Sequence, residues 1–338
     1  IVVAIKATFD IPRVGETPLL SAVQVPLIEA DEFMGEPGLS APLQEVDFAH
    51  RKPLCDVLIN ATAYAPQGIP QPRVLVGARV GTMMKTFVVT GSRHWRAGLL
   101  LTSPSDPLPF VTAQISYDTA YGGTDVGDGS HTPKHYASNP VGKGYRPHRH
   151  QLDGLEMPCT EQRYTPISEP DGSYQPMSFG PIGRAWSPRS AFAGTYDDVW
   201  RDHRAPFWPH DFDDRYFQAA PPDQQIRHPV GGEVVELENL TPDGFVSFVL
   251  PTLSIPVRFV PHHGQAHVAE TVVDTIVIQP DLGHFTMTCR TSRAMRRSCF
   301  DMRQIIAGEP SDAWYRERRW GHKPYYKNLA ELIRSRRS

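Results

Sequence analysis

The chain's 338 residues suffice for one large domain or two ordinary ones, and 40% hydrophobic against 21% charged residues fits a globular protein with a sizeable core. A net charge of −3 argues against a general nucleic-acid or membrane-surface binder. The 33 prolines alone would suit disorder, but 15 Phe, 12 Tyr and 6 Trp accompany them, so ordered irregular backbone pinned by rings is expected.

Taken in chain order, the first predicted element is a strand over 1–10. It places Val3, Ile5, Ala7 and Phe9 on one face and Lys6, Thr8 and Asp10 on the other. Pro12 to Gly15 reads as a turn. Further strands are predicted at 54–61, 73–80 and 84–90, the last two forming a hairpin around Gly81-Thr82-Met83. Residues 103–223 carry few periodic segments and many Gly, Pro, Asn and rings, as in a functional loop-rich insertion. Strands are predicted again at 244–250, 255–260, 271–279 and 285–290.

Helices are few. Met295, Cys299, Met302 and Ile306 at i, i+4, i+7 and i+11 predict one over 292–307, stopped by Gly308. Shorter helices are predicted at 191–202 and 326–337. Strand and helix do not alternate as in a doubly wound nucleotide fold. The expected class is mainly β, an antiparallel β-sandwich-like core with a long loop-rich middle region and few short helices. The expected organisation is a β-rich domain over 1–290 and a helical, basic extension over 291–338. From Trp314 to Ser338 eight Lys/Arg face two Glu, the pattern of a solvated helix or of a docking tail for an acidic partner.

Cys55, Cys159, Cys289 and Cys299 show no CxxC spacing and suit reduced thiols in the cytoplasm. No apolar run reaches 18 residues, so no transmembrane helix is expected, and the opening Ile1–Lys6 lacks the charged n-region of a signal peptide.

Candidate chemistry is sparse. The histidine pairs His131/His135, His148/His150 and His262/His263 with His267 do not offer convergent zinc spacing, and Arg146 and Arg149 beside the middle pair would repel a dication. Gly122-Gly123 and Asn139-Pro140-Val141-Gly142-Lys143-Gly144 read as tight turns rather than phosphate cradles, since no Walker lysine follows and no GxGxxG opens a helix. No GxSxG is present. Asp197-Asp198, Asp211 and Asp213-Asp214 could supply glycosidase-type acid pairs, with turn capping as the plainer role. No metal and no cofactor is expected.

The most distinctive stretch runs from Gly194 to Gln225. It contains Thr195, Tyr196, Asp197, Trp200, Trp208, Asp211, Phe212, Asp223 and Gln224, with seven rings from Tyr196 to Phe217 and an eighth, Phe192, just before it. Rings bury large area at low entropy cost, and the interspersed Asp, Arg and Gln can tie down loop backbone. Two readings follow: a buried hub that packs a long loop, or an exposed recognition surface with aromatic hot spots. The composition favours the hub.

Together with scattered shorter motifs, this stretch resembles the family of bacterial proteins of unknown function numbered 2169. The motifs are Lys6-Ala7-Thr8-Phe9-Asp10, Asp56-Val57-Leu58, Ala63-Tyr64-Ala65-Pro66, Gly91-Ser92-Arg93-His94-Trp95 and Tyr117 with Ala120-Tyr121-Gly122-Gly123. Others are Asn139 to Gly144, Gly180-Pro181-Ile182, Trp186-Ser187-Pro188-Arg189 and Gly231-Gly232-Glu233. The resemblance covers Ile1 to about Arg290. Thr288-Cys289-Arg290 departs from it, since such proteins often carry Trp before the Arg. The resemblance implies a type VI secretion adaptor or chaperone that binds a toxic effector, or its PAAR or spike carrier, in the cytoplasm. It carries over no catalytic residue. Strand addition at an open sheet edge is one expected binding mode. A glycan-directed hydrolase using paired carboxylates is the alternative, and a structural spike component a third possibility.

Overall fold

The computed structural model describes residues 1–13, 15–98, 102–127, 129, 132–295 and 301–319. In chain order its principal strands are β1 (Val2–Asp10), β2 (Cys55–Ile59), β3 (Arg73–Val80), β4 (Met83–Thr90), β5 (Thr160–Glu161), β6 (Gln225–Ile226) and β7 (Val234–Glu238). They continue as β8 (Phe245–Val249), β9 (Pro256–Pro261), β10 (His267–Glu270), β11 (Val272–Gln279), β12 (His284–Ser292) and β13 (Met302–Ala307). The α-helices are short: α1 (Asp198–His203) and α2 (Asp312–Arg319). The protein is therefore mainly β. Every strand predicted from alternation is present, with ends shifted by a residue or two.

The chain divides into two compact units, one of 2–254 with 272–292 and a smaller one of Ile1, 255–271 and 293–338. In the larger unit one five-stranded sheet runs β1-β12-β11-β2-β6 and the other β5-β4-β3-β7-β8. All neighbours are antiparallel except β11 and β2, which run parallel from Thr275↔Asp56 to Ile278↔Ile59. The sheets meet through rings: Phe9 and Phe285 of the first stack at 5.4 Å, and Phe248 of the second stacks on Phe285 at 5.1 Å. That is sandwich packing, with inward residues interdigitating between two layers.

The first sheet is covered on both faces. Lys6 and Thr8, read from sequence as the polar face of β1, are buried, with Lys6 paired to Asp47. A buried ammonium needs a partner, and here a covering segment supplies it through Asp47.

In the smaller unit β9 lies between β10 and β13, both antiparallel to it. This corrects the helix predicted over 292–307: β12 runs through Ser292, and 302–307 is strand. The apolar spacing mimics a helical stripe, but Ile305 and Ile306 are β-branched and Val257, Arg258 and Phe259 offer a ladder to pair with. The helix predicted over 191–202 is two pieces, a 3₁₀ turn at Arg189–Phe192 and α1, separated by Gly194 at φ 79°. Cys299, His131 and the helix predicted over 326–337 lie outside the described residues. Among those described, no helix is long and apolar enough to cross a membrane, and Cys55 and Cys159 are free thiols.

Candidate functional site: an exposed aromatic loop on a buried polar anchor

The glycine and tryptophan motifs of the middle region are structural. Trp95 is fully buried and donates from Nε1 to the Gly144 carbonyl at 3.2 Å. Tyr121, also fully buried, packs edge-on against Tyr136, Tyr145 and Tyr174, and its hydroxyl donates to the carbonyls of Pro170 and Gly172. Burial pushes its phenol far above the ordinary range. Gly122 sits at φ 148° with room for no side chain, since a Cβ there would lie 2.1 Å from the Asn139 carbonyl; Gly123 follows at φ 117°. Asn139 closes this turn by donating to the Tyr117 and Tyr121 carbonyls, and the Pro140 carbonyl accepts from Thr124 Oγ1. Trp186 packs edge-on against Tyr117. Arg189 is buried between Glu45 and the carbonyls of Ile182 and Tyr216. These residues organise loops that lack ladder partners, and every contact found for them is internal.

The stretch from Gly194 to Gln225 divides in two. Its end is a polar anchor for β2. Asp56, fully buried in that strand, accepts from Lys52 Nζ at 2.7 Å, Gln218 Nε2 at 2.6 Å and the backbone N–H groups of Ala219 and Ala220 at 2.8 and 3.2 Å. Gln224, fully buried, donates to the carbonyls of Val57 and Phe179, both at 2.8 Å, and accepts from Lys85 Nζ at 2.8 Å. Lys85 also pairs with the exposed Asp223 at 3.1 Å; burial pulls its ammonium below the ordinary lysine range while Asp223 opposes the shift. On the neighbouring strand Asp274 pairs with Arg290 at 3.2 Å, and burial raises its carboxyl above the ordinary value against the pull of Lys52 and Arg290. The same burial raises the Cys55 thiol.

The first part, 194–217, is a surface loop, which corrects the expectation of a buried hub. Tyr196, Val199, Phe207 and Trp208 are 50%, 66%, 67% and 48% exposed. The loop is nonetheless tightly framed. Thr195 closes it through its N–H and Oγ1 to Asp211, at 3.0 and 2.7 Å, and these bonds hold the Asp211 carboxyl below the usual range. Asp197 caps α1 by accepting from Trp200 N–H at 2.8 Å. Trp200 Nε1 donates to the Phe207 carbonyl and Arg204 Nε to that of Trp208, each at 2.9 Å. Tyr196 lies edge-on to Trp200, and Trp208 stacks on Phe212 at 4.5 Å. Arg215 lies over the Phe192 ring at 4.1 Å while pairing with Asp213. Tyr196, Phe207 and Trp208 keep about half or more of their area open to solvent, while Phe192, Trp200, Phe212, Tyr216 and Phe217 are half-buried.

The hub reading missed this because a ring signals burial by type, whereas the residues that reach β2 are Gln218, Ala219, Ala220 and Gln224 of the ring-free end. Of the anchor residues, Asp56 enters only within the motif Asp56-Val57-Leu58, and Lys52, Lys85 and Gln218 are not singled out from sequence. The available signal was a lone Asp in the apolar run Leu54-Cys55-Asp56-Val57-Leu58-Ile59.

The carboxylates proposed for hydrolysis are engaged otherwise: Asp197 in a helix cap, Asp211 with Thr195, Asp213 with Arg215. Among the described residues no three His, Cys, Asp or Glu side chains are grouped to hold a metal ion. His262, His263 and His267 are exposed, and His150 lies 3.7 Å from Asp125.

The model of the family described as uncharacterized protein conserved in bacteria (DUF2169) matches residues 1–290. No curated protein and no solved structure matches the chain.

Proposed function

The chain belongs to the DUF2169 family of bacterial proteins, and from that premise we propose that it is a non-catalytic cytoplasmic adaptor of type VI secretion. In this reading it binds a toxic effector, or the PAAR or spike protein that carries the toxin, and assists loading. The observation that carries the proposal is the framed, exposed aromatic loop. Rigid Tyr, Trp and Phe rings with half their area in water are the residue types that dominate binding energy at protein interfaces. Hydrogen bonds from Trp200 and Arg204 already fix the loop, so little ordering entropy is lost on contact.

The loop also has a charge. Asp197, Asp198, Asp202, Asp211, Asp213 and Asp214 outnumber Arg201, Arg204 and Arg215, so the partner surface it suits is apolar at its centre and basic at its rim. A hydrolase would need a carboxylic acid kept protonated near neutral pH. Asp211 is pushed the other way.

The test is co-purification of the full chain with the toxin encoded beside its gene, together with deletion of that gene. Adaptor function predicts a stable complex, and loss of toxin solubility and secretion on deletion. Unchanged toxin solubility and secretion would overturn it.

A further inference from the structure

The free edge of the second sheet is unguarded. Among the described residues β8 is the last strand of its sheet and pairs with β7 alone. Leu250 exchanges backbone hydrogen bonds toward β7, through Gly232 N–H to its carbonyl and its own N–H to Glu233, and Asn239 N–H donates to Gly244. By alternation the N–H and C=O groups of Phe245, Ser247 and Val249 point away from the sheet, and no described residue hydrogen-bonds to them.

Natural edges are blunted by charge, proline, a bulge or a covering segment. The edge of β1 is treated in that way: Asp10 N–H donates to Leu19, Ser21 N–H to Thr8, and the Gln24 side chain bonds the Thr8 backbone in both directions. The far edge of the second sheet, β5, is two residues long. β8 reads Phe-Val-Ser-Phe-Val, with no charge, no proline and no register shift, and Phe245 and Val249 are 50% and 45% exposed.

We propose that β8 pairs edge to edge with β8 of a second copy of this chain, antiparallel about a two-fold axis at Ser247. The sequence is self-complementary in that register. Ser247 meets its own copy, Phe245 meets Val249 and Val246 meets Phe248, so rings lie opposite β-branched side chains at every apolar pair. The nearest charge, Asp243, falls opposite Pro251, which has no N–H and ends the ladder. No like charges are opposed, and an isologous contact closes without forming fibres. The pairing uses none of Tyr196, Phe207 and Trp208.

The experiment uses single cysteines in the full chain under mild oxidation. Ser247→Cys places two thiols on an antiparallel pair with Cα atoms about 5.5 Å apart, within disulfide reach. Val249→Cys places them about 13 Å apart, out of reach. The proposal predicts a disulfide-linked dimer for Ser247→Cys and none above wild-type level for Val249→Cys. In sedimentation the wild type is a monomer–dimer equilibrium, and Ser247→Lys, with its denaturation midpoint unchanged, weakens the dimer about tenfold or more by opposing two ammonium groups. A wild type that stays monomeric at its highest soluble concentration, equal cross-linking of the two cysteine variants, or a dimer unaffected by Ser247→Lys overturns the proposal.

Discussion

Residues 194–217 and 218–226 adjoin in sequence and both carry Asp and Pro, yet the first, rich in rings and Arg, lies on the surface, and the second, with three Gln and no ring, reaches into the sheet. In the second, each polar atom has a buried counterpart: Gln218, Ala219 and Ala220 meet Asp56, and Gln224 meets Val57, Phe179 and Lys85. In the first, polar atoms bond within the loop itself, Thr195 to Asp211 and Trp200 to Phe207, leaving ring faces in water. In these two segments, therefore, polar side chains reach into the sheet while several rings face solvent, against the usual partition. A surface that keeps rings exposed on a rigid frame suits recognition, and a core that keeps charges paired suits register.

Removing the centre of the anchor has the largest expected effect. Asp56→Ala deprives Lys52, Gln218 and two backbone N–H groups of their acceptor and leaves a buried ammonium unpaired, a loss of about 3–5 kcal/mol. Urea unfolding checks it, and a midpoint within error of the wild type would dissolve the contrast. Gln224→Ala follows at about 1–3 kcal/mol, because two carbonyls and Lys85 lose a partner in a dry site.

The loop and the buried polar groups around the anchor also answer pH with opposite sign. Asp274 has its folded pKa raised by burial, so its contribution is fully present below the ordinary carboxylate value near ~3.9 and is lost as pH rises through the folded value, at up to about 1.4 kcal/mol per pH unit of that window. Asp211 in the loop is depressed by Thr195, so its contribution is present above the ordinary value and lost as pH falls through the folded one. Unfolding midpoints across pH 3–7 should therefore lose a falling component in Asp274→Asn and a small rising one in Asp211→Asn. Thr195→Ala, which opens the loop's closure on an exposed frame, should change stability by no more than about 1 kcal/mol.

The strands were legible because alternation in runs such as Arg73–Val80 and His284–Ser292 is a local signal. The anchor was not, because Asp56 finds Gln218 162 residues away, and nothing local distinguishes a buried Asp from a turn Asp. The strand at 302–307 was misread for a related reason: whether Ile305 and Ile306 extend or coil is decided by the partner strand β9. Exposure of Phe207 and Trp208 was equally hidden, since a ring signals burial by type and shows its true setting only in three dimensions.

The most direct test of the central claim is Trp208→Ala, measured both for unfolding midpoint and for capture of the neighbouring toxin. A recognition loop predicts a stability change of no more than about 1 kcal/mol with capture lost by about tenfold or more. Loss of the cooperative unfolding transition, or a folded variant that captures the toxin as the wild type does, would contradict it.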